Sequence, residues 1–217
     1  MEEIPLPEAL ESLPQVKDAR KYASRANTLD DLEYAERQID VRQMGFLGRL
    51  ERKERGKDKT GILVIGKAPA ASEIEHQLPF VGPAGNILRE AFEAAGSPLD
   101  NHALAYASNW RPRKVNTPNA TQLAISKPLL EREIALRHPL HLVLLGAKVC
   151  DSLFGQHPPM GEGDVTRANW RGLPTTIIPN NGFILRNPGM MGAYIDAISS
   201  IFEANWIKPR RTSRDAA

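Results

Sequence analysis

Between Gly61 and Leu88 the sequence gathers several side chains suited to chemistry, in the run GILVIGKAPAASEIEHQLPFVGPAGNIL. Lys67 follows Gly66 directly, Glu73 and Glu75 lie in the polar stretch after Ala70, and Phe80 sits between Pro79 and Val81. Ala68, Pro69 and Ala70 are small, so another molecule can approach the backbone there and take its amide protons. Glu73 is a carboxylate able to position water or offset positive charge. Lys67 has two possible chemistries: a fixed charge at a phosphate, or an amine nucleophile if its pKa is depressed. Phe80 offers a flat face for stacking. Further along, Asn109 presents a donor and an acceptor together, and Asn180 and Arg186 fall within one later loop.

Positioning these groups requires a strand, a loop and a helix. Ile62–Ile65 is a β-branched apolar run suited to a buried strand. The loop runs through Gly82, and Pro83–Asn86 leads into an amphipathic helix through Leu88, Ala91, Phe92 and Ala95. Strands are further predicted at 103–109, 140–145 and 175–178. Helices are predicted at 147–154 and 190–206, and over 119–137, where Pro128 predicts a kink or two short helices. The stretches 155–168 and 179–188 read as loops. Strands alternating with helices imply a three-layer α/β/α domain with a four-stranded parallel central sheet. In such sheets ligands sit beyond the carboxyl ends of the strands.

Residues 1–58 read as a helical extension to a domain spanning 59–207, and 208–217 as a basic, disordered tail. Pro5, Pro7 and Pro14 punctuate a loosely ordered start. From Asp30 the apolar residues Leu32, Ala35, Ile39, Phe46/Leu47 and Leu50 recur at helical steps, and Asp30 with Glu33 is a candidate capping box. The basic run Arg49–Lys59 reads as a solvated helix end and linker. The chain has 217 residues, 41% hydrophobic and 25% charged, as expected of a globular protein. A net charge of +2 gives no global basic field, so any nucleic-acid surface must be local. One cysteine, Cys150, excludes an intrachain disulfide and any cysteine-built metal site, in keeping with a reducing cytoplasm. No apolar run is long enough to span a membrane.

Residues 66–73, GKAPAASE, continuing ungapped to PFVGPAG at 79–85, resemble the first motif of the uracil-DNA glycosylase superfamily. The closest pattern is family 4, with its GEAPG, an ED pair and PFVGxAG. Three further stretches fall in the family's order: Tyr106–Asn109 resembles the strand ending in the base-reading Asn, Leu142–Gly146 the third strand, and Leu185–Pro188 the end of the HPxxLLRNP loop. The resemblance covers about residues 60–205 and implies a monofunctional DNA glycosylase; with the cluster cysteines missing no cofactor is expected, and the enzyme is expected to be monomeric and cytoplasmic. Such an enzyme flips a base into a pocket and hydrolyses its bond to the sugar, leaving an abasic site. It needs donors aimed at the departing base, a stacking face and a carboxylate or water at the sugar.

On that reading Gly66, Ala68, Pro69, Ala70, Phe80 and Asn109 hold the base, with Phe80 contributing roughly 1–3 kcal/mol by stacking. Glu73, Asn180 and Lys67 are the candidate catalytic residues. Gly85 and Asn86 at a helix start, with Arg111, Arg113, Lys114 and Arg186, are expected to touch DNA. The chain also departs from the pattern. Lys67 replaces the motif's Glu, and Asn180 stands where the loop His belongs; Asn180 donates a hydrogen bond but cannot become cationic. The four cysteines of the family's iron–sulfur cluster are missing. These changes admit either uracil or a deaminated base as target, or a modified pyrimidine such as hydroxymethylated or glucosylated cytosine in viral DNA, which would make the protein an antiviral defence enzyme. Two alternatives remain: a catalytically silent DNA-binding relative, and a nucleotide- or sugar-phosphate-processing enzyme, against which the missing Gly-rich phosphate fingerprint counts.

Overall fold

The computed structural model describes residues 1–52, 55–113, 117–159 and 164–203. The elements in chain order are α1 (Glu8–Glu11), α2 (Pro14–Arg25), α3 (Leu29–Gln38), β1 (Phe46–Arg49), β2 (Ile62–Gly66), α4 (Ala71–His76), α5 (Pro83–Ala94), β3 (Ala103–Tyr106), β4 (Trp110–Pro112), α6 (Ala120–Arg137), β5 (His141–Leu145), α7 (Ala147–Phe154), β6 (Thr166–Trp170), β7 (Leu173–Ile178), α8 (Asn181–Arg186) and α9 (Met191–Glu203).

The central sheet has five strands in the order β3-β2-β5-β7-β6. Four are parallel, as the alternation of strands and helices requires, and β6 runs antiparallel along one edge. Its first residues, 166–168, fall in the stretch read as a loop from the sequence. Its alternately exposed residues carry no continuous apolar run, because one face of an edge strand meets solvent.

Side chains of the parallel strands alternate between two cores. Ile62, Val64, Leu104, Val143 and Ile178 pack with Leu88 and Phe92 of α5 and Ile198 and Ile201 of α9. Leu63, Ile65, Ala105, Leu142 and Leu144 face the other way, onto α6 and α7. Helices therefore cover both faces of the sheet. Beyond α6 lies a further layer: Val16 and Ala19 of α2 and Leu32 of α3 pack on Ala124, Ile125 and Leu129.

Several sequence-based expectations for the first 59 residues are corrected. The start is ordered into α1 and α2, because Pro14 occupies the first turn of α2, where a missing amide proton costs nothing. The helical pattern from Asp30 stops at Gln38, and Phe46–Arg49 becomes a strand paired antiparallel with β4 in a separate two-stranded sheet. The capping box is Thr28 with Asp31, two residues earlier than Asp30 with Glu33.

The basic run from Arg49 is not a solvated helix end. Arg52 is buried and its Nη1 lies 2.7 Å from Glu36 Oε2, its Nε 3.0 Å from Glu133 Oε2. Arg49 pairs with Glu33 at 2.5 Å and Glu36 at 3.2 Å. Burial pushes the Glu133 carboxyl up, but Arg52 and Arg137 overcome this and hold it down to about 2. Two carboxylates of α3 and one of α6 thus converge on arginines that the sequence shows only as a charge cluster.

Elsewhere α6 is one continuous helix despite Pro128, packed on both sides, and 181–186 is the short helix α8 rather than loop. Met191–Glu203 gives the closing helix; residues 204–206 of its predicted span, and the tail, lie outside the described residues.

Candidate active site

A pocket of about 240 Å³ opens at the carboxyl ends of β2 and β3, where α/β sheets hold their ligands. Gly66, Lys67, Ala68, Ala70, Glu73 and Phe80 supply one side; Tyr106, Asn180 and Arg186 supply much of the rest. It is slightly smaller than the typical site of a drug-sized ligand, of roughly 300–1,000 Å³.

Its floor is a hydrogen-bonded triad. Glu73, in the first turn of α4, accepts from the Ala70 amide, from the Phe80 amide at 2.7 Å and from the Tyr106 hydroxyl. The Phe80 amide also donates to the Tyr106 oxygen at 2.9 Å. These bonds hold Phe80 in the left-handed region at φ +52°, a conformation that ordinary side chains adopt only under constraint. The Phe80 ring stacks on Tyr106, with centroids 5.0 Å apart. Gly66 permits this approach, since a Cβ there would lie 3.0 Å from the Phe80 ring. Gly85 is needed more strictly: its Cβ would lie 2.0 Å from the Phe80 carbonyl oxygen.

Burial raises the pKa of Glu73 above the usual carboxylate range, although the Ala70 amide, the Tyr106 hydroxyl, the Phe80 amide and the charge of Arg55 all pull it down. Burial, then Glu73, pushes the Tyr106 phenol far above its ordinary value. Lys67 is half-buried, and desolvation together with the charge of Arg186 lowers its pKa. Its Nζ donates to Thr117 Oγ1 at 3.1 Å.

The opposite wall comes from α8. Asn180 caps that helix by accepting from the Gly182 amide at 3.0 Å, and its Nδ2 lies 3.4 Å from the Leu145 carbonyl oxygen. Asn181 ties the wall to the start of α5 by donating to Ala84 O at 2.8 Å. Arg186 is exposed at the rim.

The structure brings together most of the residues singled out in the sequence, with three exceptions of substance. Asn109 does not line the pocket. It is buried, its Oδ1 accepting from Arg55 at 2.7 Å and its Nδ2 donating to Glu36 at 3.0 Å, so its amide has no edge to offer a ligand. The residue of that segment that reaches the pocket is Tyr106, because pairing with β2 ends at Tyr106 and the chain then turns toward β4. A hydroxyl-bearing side chain at the last paired position of a buried strand was the available signal. Secondly, the 68–70 turn offers fewer donors than expected: Pro69 has no amide proton and the Ala70 amide is taken by Glu73, leaving Ala68. Thirdly, the DNA-facing candidates are dispersed. Gly85 is buried beneath Phe80, Asn86 is exposed on the first turn of α5, and Arg111 is half-buried in β4. Arg113 lines a neighbouring 370 Å³ cavity with Thr117 and Asn119, and Lys114 lies outside the described residues.

The donor set does not suit an iron–sulfur cluster. The single thiol, Cys150, is buried in α7. Among the described residues no three His, Cys, Asp or Glu side chains gather as metal ligands. Nor is any helix among them long and apolar enough to cross a membrane.

A sheet with four parallel strands between helical layers, carrying a carboxylate, a stacking ring and a side-chain amide around a compartment beyond its strand ends, defines an α/β enzyme built to take a small planar group. Comparison with known proteins narrows this. The family model described as the uracil DNA glycosylase superfamily matches residues 54–199. The type-4 uracil-DNA glycosylase of Pyrobaculum aerophilum is 29% identical over 156 residues, 68% of this chain and 79% of the relative. That of Sulfurisphaera tokodaii is 30% identical over 108 residues, 49% of this chain and 48% of the relative. The chain belongs to the uracil DNA glycosylase superfamily, close to family 4. Its enzyme class is that of a monofunctional DNA glycosylase.

Proposed function

We propose that the protein hydrolyses the bond between a flipped pyrimidine and its deoxyribose, with Glu73 acting at the sugar. The observation that carries this is the floor of the pocket, where a buried carboxylate is fixed by two backbone amides and a phenol beneath a space for one planar ring. As the bond from C1′ to the base nitrogen breaks, positive charge grows on the sugar and the electron pair leaves with the base. A water oxygen then bonds to C1′, and its proton leaves to solvent or to the departing base. Glu73 stabilises the cationic sugar as a carboxylate and orients that water. The Asn180 amide and the Ala68 backbone amide are the candidate donors to the base oxygen. Lys67 and Arg186 place two cations at the pocket, suited to the flanking phosphates. Lys67 acts as a charge in this scheme, so borohydride traps no covalent protein–DNA adduct.

The relatives named uracil-DNA glycosylases support uracil as the base. A second reading, a substituted pyrimidine such as hydroxymethylated or glucosylated cytosine, is favoured by two features. No amide from the β3 end reads the base edge, and the wall at Gly66, Ala68 and Ala70 is built of small residues. Excision of such bases would serve defence against viral DNA. The test is incubation with DNA carrying uracil, hypoxanthine and modified cytosines, followed by mass analysis of released bases. Release of any of them is expected, together with its loss in E73Q; retention of DNA without any abasic site would mark a silent binder. Full activity in E73Q would remove Glu73 from the mechanism.

A further inference from the structure

We propose that Arg55 is a positioning residue for the pocket: it fixes the Tyr106 ring, and through the Tyr106 hydroxyl the place of Glu73. The inference rests on the role of Glu73 argued above. Arg55 lines no part of the pocket and no sequence pattern marks it, yet it is buried beside the pocket floor.

The geometry is specific. Arg55 Nη1 donates to Asn109 Oδ1, Nη2 to Leu50 O and Nε to Glu51 O, each at 2.7 Å. Its guanidinium carbon stands 5.7 Å from the centre of the Tyr106 ring, within cation–π range. The Tyr106 ring thus meets both the Arg55 guanidinium and the stacked Phe80 ring, with its hydroxyl on Glu73. Among the described residues the three acceptors that meet the guanidinium are uncharged, whereas Arg52 nearby is met by three carboxylates. A buried cation with neutral acceptors keeps its field, and that field reaches Glu73 and Tyr106. Burial lowers the pKa of Arg55 to about 10, which still leaves it charged at neutral pH.

Among the described residues the groups facing Glu73 are few. From its own loop come the Ala70 and Phe80 amides; from β3, the Tyr106 hydroxyl; from the pocket lining, Lys67 and Arg186; beside the Tyr106 ring, Arg55. Glu75 and His76 of α4 are exposed. Behind Arg55, the carboxylates of Glu36 and Glu133 and the cation of Arg52 contribute opposing fields. Lys67 and Arg186 line the pocket itself, whereas Arg55 acts on Glu73 from outside its lining.

Removing the Arg55 charge raises the Glu73 pKa further. A reaction that needs the carboxylate then fails at higher pH. The experiment is single-turnover base release by the full-length protein, on whichever DNA the wild type cleaves, across roughly pH 4 to 9. R55M is expected to move the acidic limb upward, toward higher pH. R55K keeps the charge but not the fork, so it is expected to leave the limb in place and slow release about tenfold. A merely structural role would lower the rate equally at every pH. An R55M limb coincident with the wild type would overturn the proposal; if R55M does not fold, wild-type release by R55K overturns it. E73Q separates the two layers of the argument: a limb that persists in E73Q removes Glu73 from the mechanism and this inference with it. An unmoved limb in R55M, with E73Q inactive, removes the inference alone.

Discussion

Replacing Arg52 by methionine tests the buried charge network directly. The arginine side chain is 3% exposed and meets Glu36 at 2.7 Å and Glu133 at 3.0 Å, with Glu33 at 3.8 Å. Removing one member of a buried pair leaves its partner charged and unpaired, which typically costs about 3–5 kcal/mol. The structure points to the lower end. Glu36 keeps Arg49 at 3.2 Å and the Asn109 amide at 3.0 Å, and Glu133 keeps Arg137 at 2.9 Å. A loss of about 3 kcal/mol lowers the melting temperature of a chain this size by about 6–12 °C. Thermal and urea melts at neutral pH measure it. Because the pairs are shielded from solvent ions, the loss should persist at high salt. Acid adds an independent check. Glu133 falls from its ordinary 4.5 to about 2 in the folded protein, so its contribution is complete above the ordinary value and disappears as pH falls toward 2. E133Q should show a shallower acid transition in that window. An R52M protein melting within about 3 °C of wild type would refute the reasoning, because so small a change is what a surface pair gives.

G85A is expected to lose about 1–3 kcal/mol of stability by overpacking and base release by about a hundredfold, since the added methyl must displace the Phe80 carbonyl; denaturant melts and single-turnover release measure the two. Cys150 has no exposed surface, and burial with the nearby Asp151 pushes its thiol up to about 12, so a maleimide at mildly alkaline pH should label the protein only on unfolding, as mass spectrometry would show.

The parts of the fold legible in the sequence were those where one local signal decides. Ile62–Ile65 and Leu142–Leu145 are buried on both faces and read as continuous apolar runs, and Ala147–Phe154 has Gly146 and Gly155 at its ends. The helix expected from Asp30 to Leu50 failed because Phe46 and Leu50 fall at helical spacing while serving a strand and a core. Tertiary packing overrode Pro128 in α6. The Lys67–Ala70 turn, Glu73, Phe80 and Asn180 were legible because the motif is contiguous or preserved in order. Tyr106 and Asn109 exchanged places because a run of small and apolar residues does not record where strand pairing stops. Arg52 and Arg55 were opaque for a different reason: their partners come from positions 36, 109 and 133, and no spacing within the chain announces that meeting.

That dispersal bears on how the protein can be cut. A fragment trimmed to residues 54–199, the part its superfamily shares, would retain Glu133 and Asn109 while discarding Arg52 and Glu36. It would also strip the outer helices from the apolar side of α6. The leading segment thus supplies buried counterions and an apolar lining to the shared part, and a fragment of residues 54–199 is expected to be less stable than the full chain.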